Sequence, residues 1–462
     1  MLVDNIFAVP VLDTFLVYSP LQQISALVNP RALQSIDTCL SDGQEPAAPV
    51  QSLCTLFQNT PPIIPELRSG RLSHPLFLGI IPTRGCNMAC VYCDFLTSDS
   101  PQGAMSLDLA KQTVEAYFEL LRREGGNRAD IQFFGGEPFC APYVIFFIEA
   151  LARRKAQELR IPIHLEVTTN GLFSPGIARW VGDHFDTVVL SLDGPEDIQD
   201  LLRPPRSKKP GFQAVYSNAQ IFSQAPVELI LRMCVNHQTV DRMAEITQWM
   251  AESFLPKAIC FETLHPTEGS ISAGLEAPDP IQFARQFNQS IDILEPLGIM
   301  AIHSTADIEA CRLSFCPVGK DALIVSPDGN VDACYLPEPA WREKGLNFRI
   351  GKVATDEFVI DGDVLAEVRS LSVLEKPGCQ DCLCQFHCAG GCHVRQHGVR
   401  YTDIQENSEE WNDHCLQTRL ITISRLLHRL GQAPLAERWL EAFSNDFQTR
   451  KITSDRLRDR LL

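Results

Sequence analysis

The sequence predicts an α/β fold: a partial, TIM-like (β/α)6 barrel, with a small N-terminal α+β module before it and a cysteine-rich domain after it. Two observations predict this architecture. Six strand-like apolar runs between residues 75 and 305 are each followed by a helix-like run, which is typical of a parallel sheet with right-handed crossovers. Beyond the last of these helices the periodicity fades, and cysteine, glycine and proline accumulate.

The barrel strands are predicted from short, mostly apolar runs bounded by turn residues. They are PLFLGIIPT, ADIQFFGG, IHLEVTTNG, DTVVLSLDG, VELILRMCVN and KAICFETLHP. One further helix should begin with Asp279 as its N-cap and Pro280 at its first position. A flat, doubly wound sheet is the competing architecture, and in either case ligands should bind at the carboxyl ends of the strands.

The composition divides the chain into four parts. Residues 1–74 contain two strand-like runs and a helix-like run, followed by a Pro- and Gly-rich stretch, and residues 75–305 form the predicted barrel. Residues 306–415 are the cysteine-rich segment, which shows little periodicity and should need metal to hold it together. Residues 416–462 return to helical spacing.

Charge and hydropathy exclude several classes of function. The net charge is −17 and no basic face is visible, so a nucleic-acid partner is not expected. No apolar run is long enough to predict a membrane span. The N-terminus lacks the features of a signal peptide, which predicts a cytoplasmic protein. In a reducing cytosol, 17 cysteines indicate metal binding or chemistry rather than disulfides.

Three cysteines, Cys86, Cys90 and Cys93, follow directly on the first predicted barrel strand, in the segment RGCNMACVYCDF. Thiolates at this spacing can hold three irons of a [4Fe–4S] cluster and leave the fourth iron open to another ligand. The spacing alone also allows a structural zinc knuckle whose fourth ligand lies elsewhere in the chain.

This loop, with Tyr92 before its last cysteine, resembles the CxxxCxφC motif of the radical S-adenosylmethionine (SAM) superfamily. The resemblance implies that SAM chelates the open iron and that the aromatic ring packs near the adenine. Later strand ends carry similar motifs, namely GGEP, TTNG and SLDG, and IQDLLR has Gln199 where the family has histidine. The implied SAM contacts are Tyr92, Gly135, Gly136, Glu137, Asn170, Ser191, Asp193 and Arg203. Arg203 could equally be a solvated loop charge.

The second cysteine field shows, from Cys316, the pattern C-x12-G-x4-C, then C-x2-C-x5-C-x3-C and a final cysteine. It resembles the SPASM extension of radical SAM maturases, which carries two further [4Fe–4S] clusters, so the resemblance implies three clusters in all. The implied ligands are Cys311, Cys316, Cys334 and Cys392 for one cluster, and Cys379, Cys382, Cys388 and Cys415 for the other. Structural zinc sites are the alternative.

The remaining cysteines, and three histidines of the second field, are not expected to be cluster ligands. Cys384 lies inside the second field and is expected to be a spare thiol. Five cysteines in apolar runs are expected to be small buried side chains: Cys39, Cys54, Cys140, Cys234 and Cys260. The histidines of the second field are interpreted as surface groups or neighbours of ligands: His387, His393 and His397.

The resemblance implies a radical SAM/SPASM maturase. Such an enzyme cleaves SAM to a 5′-deoxyadenosyl radical, which abstracts hydrogen from a ribosomally made peptide and leads to an oxidative side-chain modification such as a crosslink. The implied partners are a precursor peptide and an electron donor such as a flavodoxin or ferredoxin. An enzyme acting on a small cofactor precursor is an alternative. A non-enzymatic iron–sulfur electron carrier is disfavoured, because it would need neither GGEP nor Asn170.

Two segments bear on the substrate. Sulfatase-maturating relatives, which oxidise a Cys or Ser to formylglycine, carry an Asp base at the position of Tyr335, and the departure makes that activity the lesser alternative. Tyr335 is a weak candidate for relaying an electron or proton, against the simpler interpretation of a packed tyrosine. Residues 1–74 could take a leader peptide as an added strand, or could cap the barrel.

Overall fold

The computed structural model describes residues 6–42, 44–95, 103–355, 357–395 and 413–445. The strands are β1 Phe7–Val11, β2 Thr14–Ser19, β3 Ile24–Val28, β4 Leu78–Ile80, β5 Ala129–Phe133, β6 Ile163–Thr169, β7 Thr187–Ser191, β8 Glu228–Val235, β9 Ala258–Thr263, β10 Met300–Ile302, β11 Leu323–Val325, β12 Asn330–Asp332, β13 Arg349–Val353 and β14 Phe358–Ile360. The helices are α1 Pro30–Asp42, α2 Gln51–Asn59, α3 Leu107–Glu124, α4 Pro142–Leu159, α5 Pro175–His184, α6 Glu196–Leu202, α7 Phe212–Gln224, α8 Met243–Phe254, α9 Glu268–Ser272, α10 Pro280–Leu294, α11 Glu338–Arg342, α12 Gly362–Ser370, α13 Gln385–Cys388, α14 Asp413–Arg429 and α15 Ala433–Asn445.

The large sheet is an open barrel rather than a doubly wound layer. Strands β4 to β10 lie side by side in chain order and pair in parallel, with no reversal of strand order between them. A doubly wound sheet would reverse its order at a switch point. The competing architecture is therefore wrong, and the six predicted strands are confirmed as β4 to β9.

Two further parallel strands, β10 and β11, of three residues each, are absent from the prediction. Strand β11 pairs with β4, and the antiparallel strands β12, β13 and β14 continue the sheet from there. The sheet thus runs from the predicted barrel into the cysteine-rich segment, and backbone hydrogen bonds join the two parts.

Alternation along β8 shows which side chains face the inside of the barrel. Leu231, Met233 and Val235 are buried in the main apolar core, whereas Arg232 and Cys234 between them are only half-buried. The half-buried side chains point the other way, into the centre of the barrel. We call this inner space, lined by alternate residues of the parallel strands, the hollow.

The N-terminal residues form an antiparallel sheet, β1–β2–β3, which packs with α1 and α2 around a core of its own. The sequence predicts β2, β3 and α1 but not β1. Pro10 lies within β1 and has no N–H to donate to a neighbouring strand. The strand forms nevertheless because it lies at the edge of the sheet, where proline is tolerated.

Helix α10 begins as predicted, because the Asp279 carboxylate accepts hydrogen bonds from the N–H groups of Ile281 and Gln282. Helix α14 packs on α10, where Ser424 donates a hydrogen bond to Asn288. The predicted C-terminal helical segment extends to residue 462, but residues 446–462 lie outside the described part of the chain. Among the helices described, none is long and apolar enough to cross a membrane.

Candidate active site

The loop that carries Cys86, Cys90 and Cys93 follows the carboxyl end of β4. The three thiols are half-buried, and burial raises the pKa of Cys86 to about 12 and that of Cys90 to about 11. The N–H groups of Met88 and Phe95 donate to the sulfurs of Cys86 and Cys93, at 3.4 Å each. Hydrogen bonds to sulfur are one means by which a protein tunes a bound iron–sulfur cluster.

Backbone hydrogen bonds hold this loop against the segment that includes the end of α6. The N–H of Ala89 donates to the carbonyl of Pro204 at 2.8 Å, and the N–H of Val91 donates to the carbonyl of Leu202 at 3.0 Å. The loop has no regular secondary structure of its own, so bonds to its surroundings must fix the positions of the thiols.

Gly135 and Gly136 follow β5 and leave room for the loop to pass. A Cβ on Gly136 would lie 2.2 Å from the carbonyl oxygen of Gly85 and 2.5 Å from that of Arg84. Gly135 has a φ of +138°, a conformation that side-chain-bearing residues rarely adopt. The backbone that leads into the three-cysteine loop therefore passes so close to these glycines that a side chain would not fit.

Glu137 is almost completely buried and ties the end of β5 to the end of β6. Its carboxylate accepts hydrogen bonds from the N–H of Phe139 at 3.0 Å, the hydroxyl of Thr169 at 2.8 Å and the N–H of Asn170 at 2.8 Å. Burial raises the pKa of Glu137 to about 7 despite these donors. A carboxylate has about four acceptor positions, so one remains for a further donor such as an ammonium group.

Asn170 reaches from the end of β6 to the three-cysteine loop. Its side-chain nitrogen donates to the oxygen of Asn87 at 2.8 Å and to the sulfur of Cys86 at 3.6 Å. Asn87 in turn donates to the carbonyl of Leu172 at 2.6 Å. Sequence reasoning missed Asn87, and its place between the first two cysteines of the loop is the one signal that could have found it.

Tyr92, Asp193 and Arg203 form a buried group on another side of the loop. Fully buried Asp193 accepts hydrogen bonds from the Tyr92 hydroxyl, from Nε of Arg203 at 2.9 Å and from the N–H of Cys234 at 2.9 Å. The guanidinium lies 5.3 Å from the centre of the Tyr92 ring, and its Nη1 is 4.0 Å from the sulfur of Cys90. Arg203 is therefore an ion-paired part of the site, and its alternative interpretation as a solvated charge is wrong.

Gln199, in α6, contacts the same group of buried residues through Asp193. Its side chain is buried, and its oxygen accepts a hydrogen bond from the N–H of Asp193 at 2.9 Å. This bond fixes the main chain at Asp193, and so the direction in which its carboxylate points. The residue that departs from the family motif thus still has a positioning role.

Ser191 ends β7, faces the hollow and lies opposite Arg232 of β8. Further polar groups come from β9, where the thiol of Cys260 donates to Glu262 at 3.4 Å, and from Ser304, whose hydroxyl donates to Glu262 at 2.9 Å. Burial raises the pKa of Glu262, but cationic groups nearby outweigh it, and the pKa lies below its ordinary value. The hollow is therefore charged and polar rather than a packed apolar core.

The prediction that the five remaining cysteines are buried is correct for two of them. Cys39 and Cys54 are buried in the N-terminal core. Cys140 is exposed, and Cys234 and Cys260 are half-buried and line the hollow, so the prediction is wrong for these three. An apolar run in a barrel strand does not reveal which face a particular side chain occupies, because successive residues alternate between the two faces.

The second cysteine field contains two sets of neighbouring thiols. They are Cys379, Cys382, Cys388 and Cys415 in one set, and Cys316, Cys334 and Cys392 in the other. Cys311 packs among apolar residues near Cys379, and its thiol donates to the carbonyl of Ile63 at 3.5 Å. Cys384 is buried beside Cys382 and donates to the carbonyl of Thr418 at 3.9 Å.

An ion pair joins the two cysteine fields. Arg395, which follows Cys392 in the second field, forms an ion pair with Asp94. Asp94 directly follows Cys93, the last cysteine of the first loop. The three-cysteine loop and the C-terminal field are thus in contact. Two histidines of this field, His387 and His393, are buried, and His397 lies outside the described residues.

Tyr335 packs between aromatic rings beside β4. Its ring centre is 4.8 Å from that of Phe134 and 6.3 Å from that of Phe77, and its hydroxyl lies 2.5 Å from where a Cβ on Gly79 would be. Burial raises the pKa of Tyr335 far above its ordinary value, which keeps the phenol protonated. Within the described residues the hydroxyl has no hydrogen-bond partner. Packing accounts for the position of the ring, and the hydroxyl is a donor without an acceptor.

The fold and this site define an α/β-barrel enzyme that binds its cofactors at the carboxyl ends of parallel strands, with three thiols after the first strand of the barrel. Residues 80–250 match the family model described as the radical SAM superfamily. The chain carries a radical SAM domain, and it is an enzyme that uses S-adenosylmethionine.

The likeness extends beyond that domain. A cysteine-type anaerobic sulfatase-maturating enzyme of Clostridium perfringens is 24% identical over 359 residues, which are 74% of this chain and 94% of the relative. The structure of native anSMEcpe with bound AdoMet and the Cp18Cys peptide aligns with a TM-score of 0.58 and 20% identity, over 80% of this chain and 99% of that one. Streptococcus suis SuiB bound to S-adenosylmethionine aligns with a TM-score of 0.52 and 15% identity, over 85% and 95%. The two solved structures share the fold of this chain.

Replacing Gly136 with alanine should displace the three-cysteine loop, because the new Cβ would overlap the backbone carbonyls of Gly85 and Arg84. After anaerobic reconstitution, the variant should hold about four irons fewer per chain than the wild type, which is one [4Fe–4S] cluster. Colorimetric iron analysis measures this. Gly362→Ala is the matched control, since a Cβ there meets no atom within 4 Å. Full iron loading of Gly136→Ala would show that the loop does not need the close approach.

Proposed function

We propose that this enzyme oxidises side chains of a ribosomally made peptide, as a radical SAM/SPASM maturase. The observation that carries the proposal is the second cysteine field, which is joined to the three-cysteine loop by the sheet and by the Asp94–Arg395 ion pair. Cleavage of SAM alone would need no thiols beyond the first loop. The peptide bound to anSMEcpe supports a peptide substrate, because that protein shares the fold.

The first cluster and SAM together would supply a 5′-deoxyadenosyl radical able to remove hydrogen from an unactivated C–H bond. Cys86, Cys90 and Cys93 would hold this cluster. The free acceptor position of Glu137 suits the SAM ammonium group, since a buried carboxylate gains a charge-assisted hydrogen bond from it. The flat face of Tyr92, fixed by its bond to Asp193, suits the adenine ring. These residues would orient SAM at the mouth of the hollow.

The thiols of the second field would hold two further [4Fe–4S] clusters, which can accept an electron from the substrate. The proposed ligands are Cys311, Cys316, Cys334 and Cys392 for one, and Cys379, Cys382, Cys388 and Cys415 for the other. Full thiolate ligation leaves no open iron, which suits electron transfer. Electrons for SAM cleavage would come from a flavodoxin or ferredoxin.

Three clusters predict about twelve irons per chain after anaerobic reconstitution. The triple variant Cys86→Ala/Cys90→Ala/Cys93→Ala should lose about four irons and all SAM cleavage, and should keep the iron of the second field. Iron, acid-labile sulfide and zinc are measured on the same preparations. Cys54→Ala is the control, because its thiol is buried in the N-terminal core and lies outside both fields. Stoichiometric zinc without sulfide would favour structural zinc sites instead.

Formylglycine formation is the second candidate, favoured by the similarity to the C. perfringens sulfatase-maturating enzyme. The protonated phenol of Tyr335 argues against it, because a protonated phenol cannot accept the substrate proton as a carboxylate base would. The hollow does contain another carboxylate, Glu262, whose lowered pKa keeps it ionised at neutral pH. The two candidates therefore need a direct test.

A precursor peptide encoded beside the enzyme should lose two hydrogen atoms on incubation with SAM and a reductant, because the proposed reaction is an oxidation. A sulfatase-derived peptide that carries the target Cys or Ser should stay unchanged. Mass spectrometry measures the mass change of both peptides, with the triple cysteine variant as the control. An aldehyde on the sulfatase peptide would favour the second candidate. Active SAM cleavage with neither peptide oxidised would point to a small cofactor precursor.

The N-terminal sheet is the proposed leader-binding element. Strand β2 is central, so within the described residues β1 and β3 each keep one edge unpaired. An extended leader peptide could add to either edge and gain main-chain hydrogen bonds that depend little on its side chains. The barrel would then act on the core peptide that follows the leader.

Strand addition predicts that a saturating leader peptide slows amide hydrogen exchange in β1 or β3, because added main-chain bonds protect the edge amides. Hydrogen–deuterium exchange with mass spectrometry measures this on the reconstituted enzyme. Helix α4 is the internal control and should not change. A leader that binds with measurable affinity but protects neither edge strand would show that the sheet is a cap and that recognition lies elsewhere.

A further inference from the structure

The N-terminal sheet touches the second cysteine field directly. Tyr18, near the end of the central strand β2, is fully buried, and so is His387. Their rings stack with centres 5.7 Å apart and an interplanar angle of 26°, and the Tyr18 hydroxyl hydrogen-bonds to Nε2 of His387. This pair joins residues that are 369 positions apart in the sequence.

His387 is held in one orientation. Its Nδ1 lies 2.8 Å from the carbonyl of Ala310, which can only accept, so Nδ1 carries the proton and Nε2 accepts from the Tyr18 hydroxyl. The carbonyl of His387 accepts from Nε of Arg312 at 2.7 Å. His387 directly precedes Cys388 in α13, so the orientation of the ring and the position of that thiol are linked through one peptide unit.

Two further contacts come from the same N-terminal part. Leu21 is buried in an apolar cluster with Cys379 and Phe386. The carbonyl of Ile63 accepts from the thiol of Cys311 at 3.5 Å. Each contact therefore reaches a cysteine of the field or a residue beside one. An N-terminal part that served only to cap the barrel would have no reason to contact three separate cysteine-bearing segments.

We propose that Tyr18 is a positioning residue for the thiols of the second field, so that the N-terminal sheet and the clusters stabilise one another. The inference rests on the proposed function for the presence of clusters. Coupling of this kind is reciprocal: whatever orders the cysteine segments must also order β2, and the reverse. Because β2 pairs with both edge strands, a leader peptide added to either edge would act on a strand that already contacts the field.

Tyr18→Phe removes the hydroxyl and keeps the ring. In the reconstituted enzyme, amide exchange around α13 should quicken by about two- to tenfold, the range expected for one net hydrogen bond. The midpoint potential of an auxiliary cluster, followed by EPR-monitored redox titration, should shift, while the signal of the first cluster stays unchanged. Tyr143→Phe is the matched control, since Tyr143 is 53% exposed. Unchanged exchange and potential in Tyr18→Phe would overturn the positioning role.

The reciprocal experiment needs no variant. Removing iron from the wild type with a chelator should quicken exchange in β2 and leave α4 unchanged. Equal exchange in β2 with and without iron would overturn the coupling. If Tyr18→Phe does not fold, Gln23→Ala tests the coupling instead, because half-buried Gln23 donates to the carbonyl of Glu309 at 3.1 Å, two residues before Cys311. A wild type without acid-labile sulfide would instead contradict the proposed function.

Discussion

The passage of the three-cysteine loop over Gly136 is the constraint on which the rest of the site depends. Two backbone carbonyls of the incoming chain occupy the space where a side chain at this position would begin. The loop makes no regular structure, so its shape comes from its partners. The N–H of Glu137 donates to the carbonyl of Gly85, and the side chain of Asn170 donates to Asn87. Asp193 holds Tyr92 from the end of β7. Residues expected to bind SAM are therefore also the residues that shape the loop.

The negative charges of the two buried carboxylates of the site are compensated in different ways. Asp193 has a cation beside it, Arg203, as well as hydrogen-bond donors. Glu137 has three donors but no cation within ion-pair distance in the described chain, and burial raises its pKa to about 7. A nearby positive charge would favour its ionised form and lower that pKa. The site thus contains one carboxylate whose cost of burial a bound ammonium group would offset, which is the property that a SAM pocket needs.

The sequence predicted the features that depend on residues close together in the chain. Strands β4 to β9 follow from apolar runs, and the three-cysteine loop follows from its spacing. Strand β1 was missed because Pro10 argues against a strand. The short strands β10 and β11 were also missed. The hydrogen bonds of Glu137 could not be predicted, since they depend on how closely two strand ends approach. The Tyr18–His387 contact joins distant residues, and no local pattern marks either of them.

Composition divides the chain at residues 74, 305 and 415, but hydrogen bonds and ion pairs cross all three of these boundaries. Strand β11, beyond residue 305, pairs with β4 inside the barrel. Asp321 accepts from both Arg369 and Arg68, and so ties the segment before the barrel to the cysteine-rich part. Thiolates that share a cluster repel one another before metal binds, so their segments gain from being fixed by neighbours with no metal of their own. The N-terminal sheet and the barrel supply those neighbours, which explains why a cysteine-rich segment with few regular elements can hold a defined geometry.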